Sequence, residues 1–284
     1  MKDPECVSFL QWALPQLHMR WPGFRKVRNQ VCKRLSRRLV ELGMADSDSY
    51  RQHLKQHPDE WKTLDSLCRV VVSRYYRDKV VFAKLTEQVL PDCATAALAD
   101  GRKTLHCWSV GSASGEEPYT LAIIWPHLLA PRFPSLEISI LATEADPHLL
   151  ERSKQACYPA STLKNLPQTL RTPAFSQSGD RYCLQPAYRS LVDFRQQDIR
   201  TTLPDDCFDL ILCRNLVFTY FDEPLQLQIL NGMLARLRPR GWLVLGVRET
   251  LPARSKGMAV VSERLGLYRK EQDNDGALRD GFRC

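Results

Sequence analysis

Residues 107–123 read CWSVGSASGEEPYTLAI, and this stretch decides the fold. A strand-like run from Leu105 to Val110 breaks into the small residues 111–115, and a helical pattern then begins. Glycine-rich turns between a strand and a helix usually hold phosphates, because the free N–H groups at the helix N-terminus attract anions. Here the helix opens with Glu116 and Glu117, and the turn contains no lysine. The turn therefore predicts a ligand that needs a glycine turn but carries no phosphate.

Beyond residue 100 the chain alternates between strand and helix patterns. We expect strands at 104–110, 137–143, 208–213, 242–246 and 266–270, and helices at 116–129, 147–156 and 223–238. Continuous apolar strands that alternate with helices indicate an α/β fold, with a mostly parallel sheet covered on both faces. Residues 157–195 do not follow the alternation and suggest a small hairpin or subdomain inserted into the α/β unit.

Residues 1 to about 90 read as helical, and the segment 24–42 is predicted to be a basic amphipathic helix. Eight Arg or Lys residues and no acid lie between Met19 and Val40, while apolar residues recur at helical spacing. The basic face is either a solvated surface or a docking surface for something acidic. Few aromatic residues interleave with these charges, which argues against single-stranded nucleic acid as the partner.

The composition is that of an ordinary globular protein, with 44% hydrophobic and 25% charged residues in 284 and a net charge of +8. No apolar run approaches the roughly 20 residues that a membrane span needs. Asp3 and Glu5 stand where a signal peptide would be basic, so we expect a cytoplasmic protein with no integral membrane segment.

The cysteines and histidines show no spacing typical of a metal site. None of the ten cysteines forms a CxxC pair, and the six histidines are scattered. We predict buried thiols in a reducing compartment, no disulfide framework and no metal.

The second strand ends in a residue suited to a ribose. An acid at that position commonly accepts both hydroxyl protons of the diol, and here it is Glu144, 33 positions after Gly111. Carboxylates beside the ligand would repel a pyrophosphate but attract a cationic nucleoside. S-adenosylmethionine, which has a ribose, an adenine, a sulfonium and an ammonium, fits this pattern. The alternative is that Glu116 and Glu117 only begin a helix, where acids favour the helix dipole.

Several segments together resemble the CheR-type chemotaxis protein methyltransferases. They are SRYYRD (73–78), WSVGSASGEEPYTLA (108–122), ATEADP (142–147), YPASTLKNLP (158–167), FDLILCRN (208–215), YFDEP (220–224) and LRPRGWLVLG (237–246). The resemblance implies a Rossmann-like class I methyltransferase domain at 91–270 with a small β-subdomain inserted at 157–195. It also implies a helical N-terminal domain at 1–90, and the polar residues 271–284 are expected to form a flexible tail.

The resemblance implies S-adenosylmethionine as methyl donor, with S-adenosylhomocysteine as product, and glutamate side chains of receptor cytoplasmic helices as acceptors. It implies that the basic helix 24–42 and the inserted β-subdomain contact this acidic helical partner. Two alternatives remain open: a methyltransferase of the same fold acting on a small molecule or a different protein, and a non-catalytic cofactor-binding scaffold. We expect no nucleic-acid acceptor, because no Asn-Pro-Pro-Tyr-like motif is present.

Matching positions and the turn itself give the expected site. The cofactor-binding residues are Ser73, Arg77, Gly111, Ser112, Gly115, Glu116, Glu144, Ala145, Asp198, Ile199, Arg214 and Asn215. The catalytic candidates are Tyr76, Arg77, Arg214 and Tyr220. A glutamate acceptor, with a pKa of about 4.3, is already ionised at neutral pH and needs no general base. Arginines can position it and tyrosines can hydrogen-bond it; alternatively, Arg214 stabilises the strand end.

Two departures from the family pattern concern the acceptor side. The family commonly has a Tyr five residues after the arginine of its CRN motif, whereas this chain has Thr219 there and Tyr220 one residue later. The sequence GVRE (246–249) stands where chemotaxis members tend to have His-Ser-Glu.

Overall fold

The computed structural model describes residues 1–271 and 284. The contacts among these residues divide the chain into two compact units. The first unit is Met1–Val72 with Thr219–Leu225, and the second is Ser73–Phe218 with Gln226–Cys284. The helical domain was expected to run to residue 90, whereas the first unit ends at Val72. Of the expected tail at 271–284, residues 272–283 lie outside the described residues.

The first unit is built from helices. They are α1 (Asp3–Ala13), α2 (Trp21–Phe24), α3 (Arg28–Glu41), α4 (Ser47–Gln56) and α5 (Glu60–Cys68), with a 3₁₀ turn at Leu14–Leu17. The predicted basic helix is α3, whose buried residues Val31, Leu35 and Leu39 are spaced four positions apart along one face. Such a stripe packs one face against the unit and leaves the other to solvent.

The second unit opens with a helix from Lys79 to Ala99. It consists of α6 (Lys79–Lys84), a π-helical turn (Leu85–Val89) and α7 (Leu90–Ala99). The π turn precedes Pro91, which has no N–H to donate into a regular helix. Apolar side chains along this helix are buried in the core of the second unit, which explains why residues 79–90 do not belong to the first.

The remaining elements follow in chain order. The strands are β1 (Thr104–Val110), β2 (Glu137–Glu144), β3 (Cys157–Pro159), β4 (Phe175–Ser178), β5 (Arg181–Leu184), β6 (Val192–Gln196), β7 (Phe208–Cys213), β8 (Leu237–Leu245), β9 (Met258–Ser262) and β10 (Leu267–Lys270). The helices are α8 (Glu116–Ile124), continued by a π turn (Trp125–Leu129), α9 (Pro147–Gln155), α10 (Gln168–Ala174), α11 (Pro186–Arg189), α12 (Val217–Tyr220) and α13 (Glu223–Arg236). Short 3₁₀ turns lie at Ala160–Leu163 and Glu263–Leu265.

The main sheet has seven strands in the order β6-β2-β1-β7-β8-β10-β9. The first five are parallel, and β10 runs antiparallel to both β8 and β9. Numbered among themselves, the parallel strands have the order 3-2-1-4-5 of doubly wound Rossmann sheets. This confirms the predicted α/β, Rossmann-like fold class.

A second, three-stranded antiparallel sheet has the order β3-β5-β4. Its hairpin β4–β5 turns at Gly179, whose φ is +61°. We call this the small sheet. The insertion was expected to extend to residue 195, but Val192–Gln196 is an edge strand of the main sheet, paired with β2. The alternation of Val192 and Phe194 with polar residues is typical of such an edge.

The prediction that the chain has no disulfide framework was wrong. Disulfides join Cys6 to Cys32, Cys157 to Cys183 and Cys207 to Cys284, with partners 26, 26 and 77 residues apart. Tertiary packing brings these distant cysteines together; for example, the pairing of β3 with β5 places Cys157 opposite Cys183. The spacing of cysteines in the sequence does not reveal such pairing. Four further cysteines, including the predicted Cys107 and Cys213, are buried free thiols.

Within the described residues, no helix has both the length and the hydropathy required to cross a membrane.

Candidate functional site

Apart from Ser73, Tyr76 and Arg77, the predicted site residues of the second unit lie at or after the carboxyl ends of four neighbouring parallel strands. Gly111–Gly115 follow β1, Glu144 ends β2, Asp198 and Ile199 follow β6, and Arg214 and Asn215 follow β7. Two backbone bonds tie these ends together: the Ser112 N–H donates to the Thr143 carbonyl at 3.0 Å, and the Gln197 N–H donates to the Glu144 carbonyl at 2.9 Å. The sheet order therefore gathers these residues at the edge where such folds bind ligands.

The turn after β1 depends on glycine at two places. Gly111 has a φ of +64°, and a Cβ there would lie 2.4 Å from the Leu216 side chain. Gly115 has a φ of +90°, and a Cβ there would lie 3.1 Å from the ring of Phe194. Between them Ala113 also has a positive φ, of 51°. The turn is thus a close fit that a side chain at either glycine would disturb.

Glu144 ties the end of β2 to this turn. One carboxylate oxygen accepts the Ala113 N–H at 2.9 Å, and the other accepts the N–H groups of Ala145 and Asp146 at 2.8 and 3.0 Å. These three bonds fix the half-buried Glu144 carboxylate at the end of β2, beside the glycine turn.

Glu116, the first residue of α8, is only 3% exposed. Its Oε2 atom and the Ser112 Oγ atom are buried and have no hydrogen-bond partner among the described residues. Burial raises the pKa of Glu116, against the lowering effects of a hydrogen bond from its own backbone, a hydrogen bond from Ser73 and the charge of Arg152. An unsatisfied buried carboxylate oxygen is costly, and a cationic or donor group on a ligand would satisfy it.

Arg214 lies inside an ion-pair network. Its side chain is 1% exposed and donates to Asp78 at 2.7 Å, to Glu117 at 3.0 Å and to the Arg77 carbonyl at 3.1 Å. The guanidinium also lies 5.3 Å from the ring centroid of Phe82. These contacts support the structural alternative for Arg214, because both terminal nitrogens of its guanidinium donate to protein groups.

Asn215 is held by a carboxylate that the sequence reasoning missed. Glu249 is 3% exposed, and its Oε2 atom accepts the N–H groups of Asn215 and Gly246 at 2.6 and 2.7 Å. Asn215 has a φ of +58°, and its side-chain oxygen accepts from Arg77 at 3.1 Å. The signal in the sequence was the acid of GVRE just beyond a strand that neighbours β7.

The other predicted residues of the second unit have mixed surroundings. Tyr76 donates its backbone N–H to the Thr120 hydroxyl at 3.1 Å, and its ring stacks on Phe82 with centroids 5.2 Å apart. Asp198 forms an ion pair with Arg200 at 2.6 Å, and Ile199 is buried.

Tyr220 belongs to the first unit. Its ring centroid lies 5.0 Å from that of Phe24, and its carbonyl accepts the Arg20 N–H at 2.8 Å. A Cβ on Gly23 would lie 2.3 Å from the Thr219 carbonyl oxygen. The YFDEP segment is therefore packed closely against residues 20–24.

No group of three or more His, Cys, Asp or Glu side chains is arranged to hold a metal ion in residues 1–271 and 284.

Comparison with known families assigns most of the chain to one family. The family described as CheR methyltransferase, SAM binding domain, matches residues 71–266. This match covers β1 to β9, which include all of the small sheet and six of the seven strands of the main sheet, and every predicted site residue of the second unit.

Relatives give the same result over a longer stretch. A chemotaxis protein methyltransferase of Listeria monocytogenes is 32% identical over 222 residues, covering 78% of this chain and 81% of the relative. Chemotaxis protein methyltransferase 2 of Pseudomonas aeruginosa is 31% identical over 246 residues, covering 82% and 84%. Among solved structures, the N-methyltransferase NodS from Bradyrhizobium japonicum aligns with a TM-score of 0.38 at 15% identity, covering 69% of this chain and 99% of NodS.

Proposed function

The chain belongs to the CheR methyltransferase family and is an S-adenosylmethionine-dependent methyltransferase, and we propose that it forms methyl esters on glutamate side chains of a chemoreceptor-like signalling protein. The observation that carries the cofactor part of the proposal is the buried Glu116 carboxylate, which directly follows a glycine turn without a cationic side chain and has one oxygen without a partner among the described residues. Such a site suits a cationic nucleoside and disfavours a phosphorylated one. The acceptor is proposed from the likeness to chemotaxis protein methyltransferases.

The residues present fit this cofactor. Glu116 and Ser112 each have a buried side-chain oxygen that has no hydrogen-bond partner among the described residues. When bound, S-adenosylmethionine supplies a methyl group on a sulfonium. We assign its ammonium to Glu116 and Ser73, and its ribose diol to Glu144, the acid at the end of the second parallel strand.

The rest of the predicted cofactor set completes the assignment. Asp198 and Ile199 are proposed to contact the adenine. The other residues proposed to bind the cofactor are Arg77, Gly111, Ser112, Gly115, Ala145, Arg214 and Asn215. Most follow the carboxyl ends of adjacent parallel strands, which supports grouping them into one site.

The chain's task in the reaction is positioning. Methyl transfer from a sulfonium is an in-line displacement, so an ionised acceptor carboxylate attacks without a general base. Arg77, whose guanidinium is oriented by its bond to Asn215, is proposed to place the acceptor carboxylate in line. Tyr76 is proposed to hydrogen-bond it, and Arg214 to hold this arrangement through its ion pairs. A catalytic role for Tyr220 stays a prediction from the sequence.

Transfer of a tritiated methyl group to receptor fragments tests the acceptor. We expect incorporation that is released as methanol by mild base, because carboxyl esters hydrolyse and amine or ether methyl groups do not. A base-stable label, or labelling of small molecules alone, would establish the alternative of a methyltransferase with another acceptor. A chain that binds S-adenosylhomocysteine in calorimetry but transfers no methyl group to any fragment would be the non-catalytic scaffold.

A basic surface of the first unit favours the proposal that the partner is acidic. Several basic residues of the predicted helix are already used within the unit: Arg28 pairs with Asp3, Arg38 pairs with Glu60, and Arg34 donates to backbone carbonyls. Lys33 and Arg37 are exposed one turn apart on α3, away from its buried stripe. With Arg25 and Lys26, also exposed, they form what we call the basic face.

Charge reversal on the basic face is expected to slow methylation of an acidic receptor fragment. The variant K33E/R37E should lower kcat/KM about tenfold at low salt, because surface charges mainly steer encounter. The loss should shrink at high salt, where exposed charges are screened within about 3 Å at 1 M. The control K55E/K62E makes the same charge change at exposed lysines of α4 and α5. Equal losses in both variants would remove the specific role of α3.

The small sheet is proposed as the second contact with the receptor, following the family resemblance. A receptor signalling helix as acceptor would also place the enzyme in the cytoplasm.

A further inference from the structure

One hydroxyl of the small sheet reaches the glycine turn of the main sheet. Tyr158, in the middle of β3, is 2% exposed and donates its hydroxyl proton to the Ser114 carbonyl at 2.6 Å. Burial raises the pKa of Tyr158 well above its ordinary value, so the hydroxyl keeps its proton at neutral pH. This donor comes from a strand that belongs to the small sheet and not to the main sheet.

The bond fixes one particular peptide unit. The Ser114 carbonyl and the Gly115 N–H belong to the same planar peptide. At its other end, this peptide donates the Gly115 N–H to the Ser112 carbonyl at 2.9 Å. Ala113 and Gly115, on either side of Ser114, both have positive φ values, 51° and 90°, which L residues rarely adopt. Tyr158 therefore holds the turn in its observed form immediately before Glu116.

A second link runs in parallel. The Tyr75 N–H donates to the Thr162 carbonyl at 3.1 Å, four residues after Tyr158. The Tyr75 ring meets the rings of Tyr158 and Phe175 edge to face, with centroids 5.1 and 5.2 Å apart. Strands of the small sheet are thus packed around the SRYYRD segment as well as the turn.

We propose that Tyr158 is a positioning residue of the cofactor site, which orients the 114–115 peptide through its hydroxyl and so couples the small sheet to methyl-donor binding. This inference rests on the proposed function, because it assumes that the turn holds S-adenosylmethionine. Coupling between two sites is reciprocal, so events on the small sheet change affinity for the donor, and donor binding changes the small sheet.

The variant Y158F tests the bond, with Y182F as its matched control. Tyr182 is opposite Tyr158 in the register of β3 and β5, so each change removes one tyrosine hydroxyl from the same sheet. We expect Y158F to weaken S-adenosylhomocysteine binding about tenfold in calorimetry, because a buried carbonyl loses its donor, and Y182F to change it less than twofold. Hydrogen exchange in residues 111–116 should be faster in Y158F alone.

The outcomes separate the two proposals. If wild-type protein does not bind S-adenosylhomocysteine, the proposed function fails and this inference fails with it. If wild-type and Y158F bind equally while only the Tm of Y158F falls, Tyr158 is merely structural and the coupling is overturned. If Y158F does not fold, hydrogen exchange in the wild-type protein tests the coupling. Binding of S-adenosylhomocysteine should then slow hydrogen exchange in residues 157–163. Unchanged exchange there would contradict the coupling.

Discussion

Replacing Glu116 with glutamine is expected to weaken S-adenosylhomocysteine binding about a hundredfold at neutral pH. Truncating one partner of a buried charge pair costs about 2–5 kcal/mol, and Glu116 is the buried carboxylate with an oxygen left for a cationic ligand. Calorimetry on both proteins measures the effect. The isosteric change E151Q, at an exposed glutamate of α9, is the control and should leave the affinity unchanged.

The pH dependence gives a second signature of the same group. Burial raises the pKa of Glu116 in the free protein, whereas a bound cation favours the ionised carboxylate. Affinity should therefore fall as the pH is lowered through that raised pKa, and this fall should be absent in E116Q. A pH profile that is identical in the two proteins would remove Glu116 from the binding site.

The change E116Q, which should weaken ligand binding, should not lower the stability of the ligand-free protein. A carboxyl whose pKa is raised on folding destabilises the folded state when it is ionised, so the penalty is absent below its unfolded pKa of about 4.5 and is fully present above the raised folded value. Without ligand, E116Q should have a Tm at or above that of the wild type at neutral pH, with the difference fading in acid. A clear decrease in Tm would mean that Glu116 stabilises the free protein.

Replacing Arg214 with methionine is expected to lower the free energy of unfolding by about 3–5 kcal/mol, because it leaves partly buried carboxylates without their counter-charge. Asp78 and Glu117 both pair with this guanidinium, whose side chain is 1% exposed. Urea titration measures the loss, which a purely ligand-directed arginine would not produce.

Arg195 provides the matched control for this prediction. It also pairs with two carboxylates, Asp193 and Asp206, but it is 49% exposed and its partners are 60% and 47% exposed. Exposed pairs contribute less than about 1 kcal/mol, so R195M should be nearly as stable as the wild type. Equal losses in R214M and R195M would contradict the buried network as a source of stability.

The strands next to the site were the most predictable part of the fold. The bounds predicted for β1 and β7 agree with the structure, because both are mostly apolar and are flanked by turn residues or polar residues. By contrast, β8 begins at Leu237 and not at 242, since its first residues pair with β7 through a shifted register. The sequence predicted helix up to about residue 90, whereas the helix that begins at Lys79 continues to Ala99, and only tertiary packing assigns it to the second unit.

The site was predictable where it follows strand ends and unpredictable where it depends on long-range side chains. The glycine turn and Glu144 could be identified because a strand, a turn and an acid lie in one βαβ unit. The contacts of Arg214 with Asp78 and of Tyr158 with Ser114 join residues 136 and 44 positions apart. No local pattern signals such pairs, and the same holds for the disulfides.

The fit between Gly111 and Leu216 restricts how this protein can change over generations. An alanine at 111 would meet both an unfavourable positive φ and a methyl group of Leu216 at 2.4 Å, while a smaller residue at 216 alone would leave a gap. Each single substitution is therefore penalised before the other can compensate for it. Descendants are expected to keep the two positions together or to exchange them as a pair.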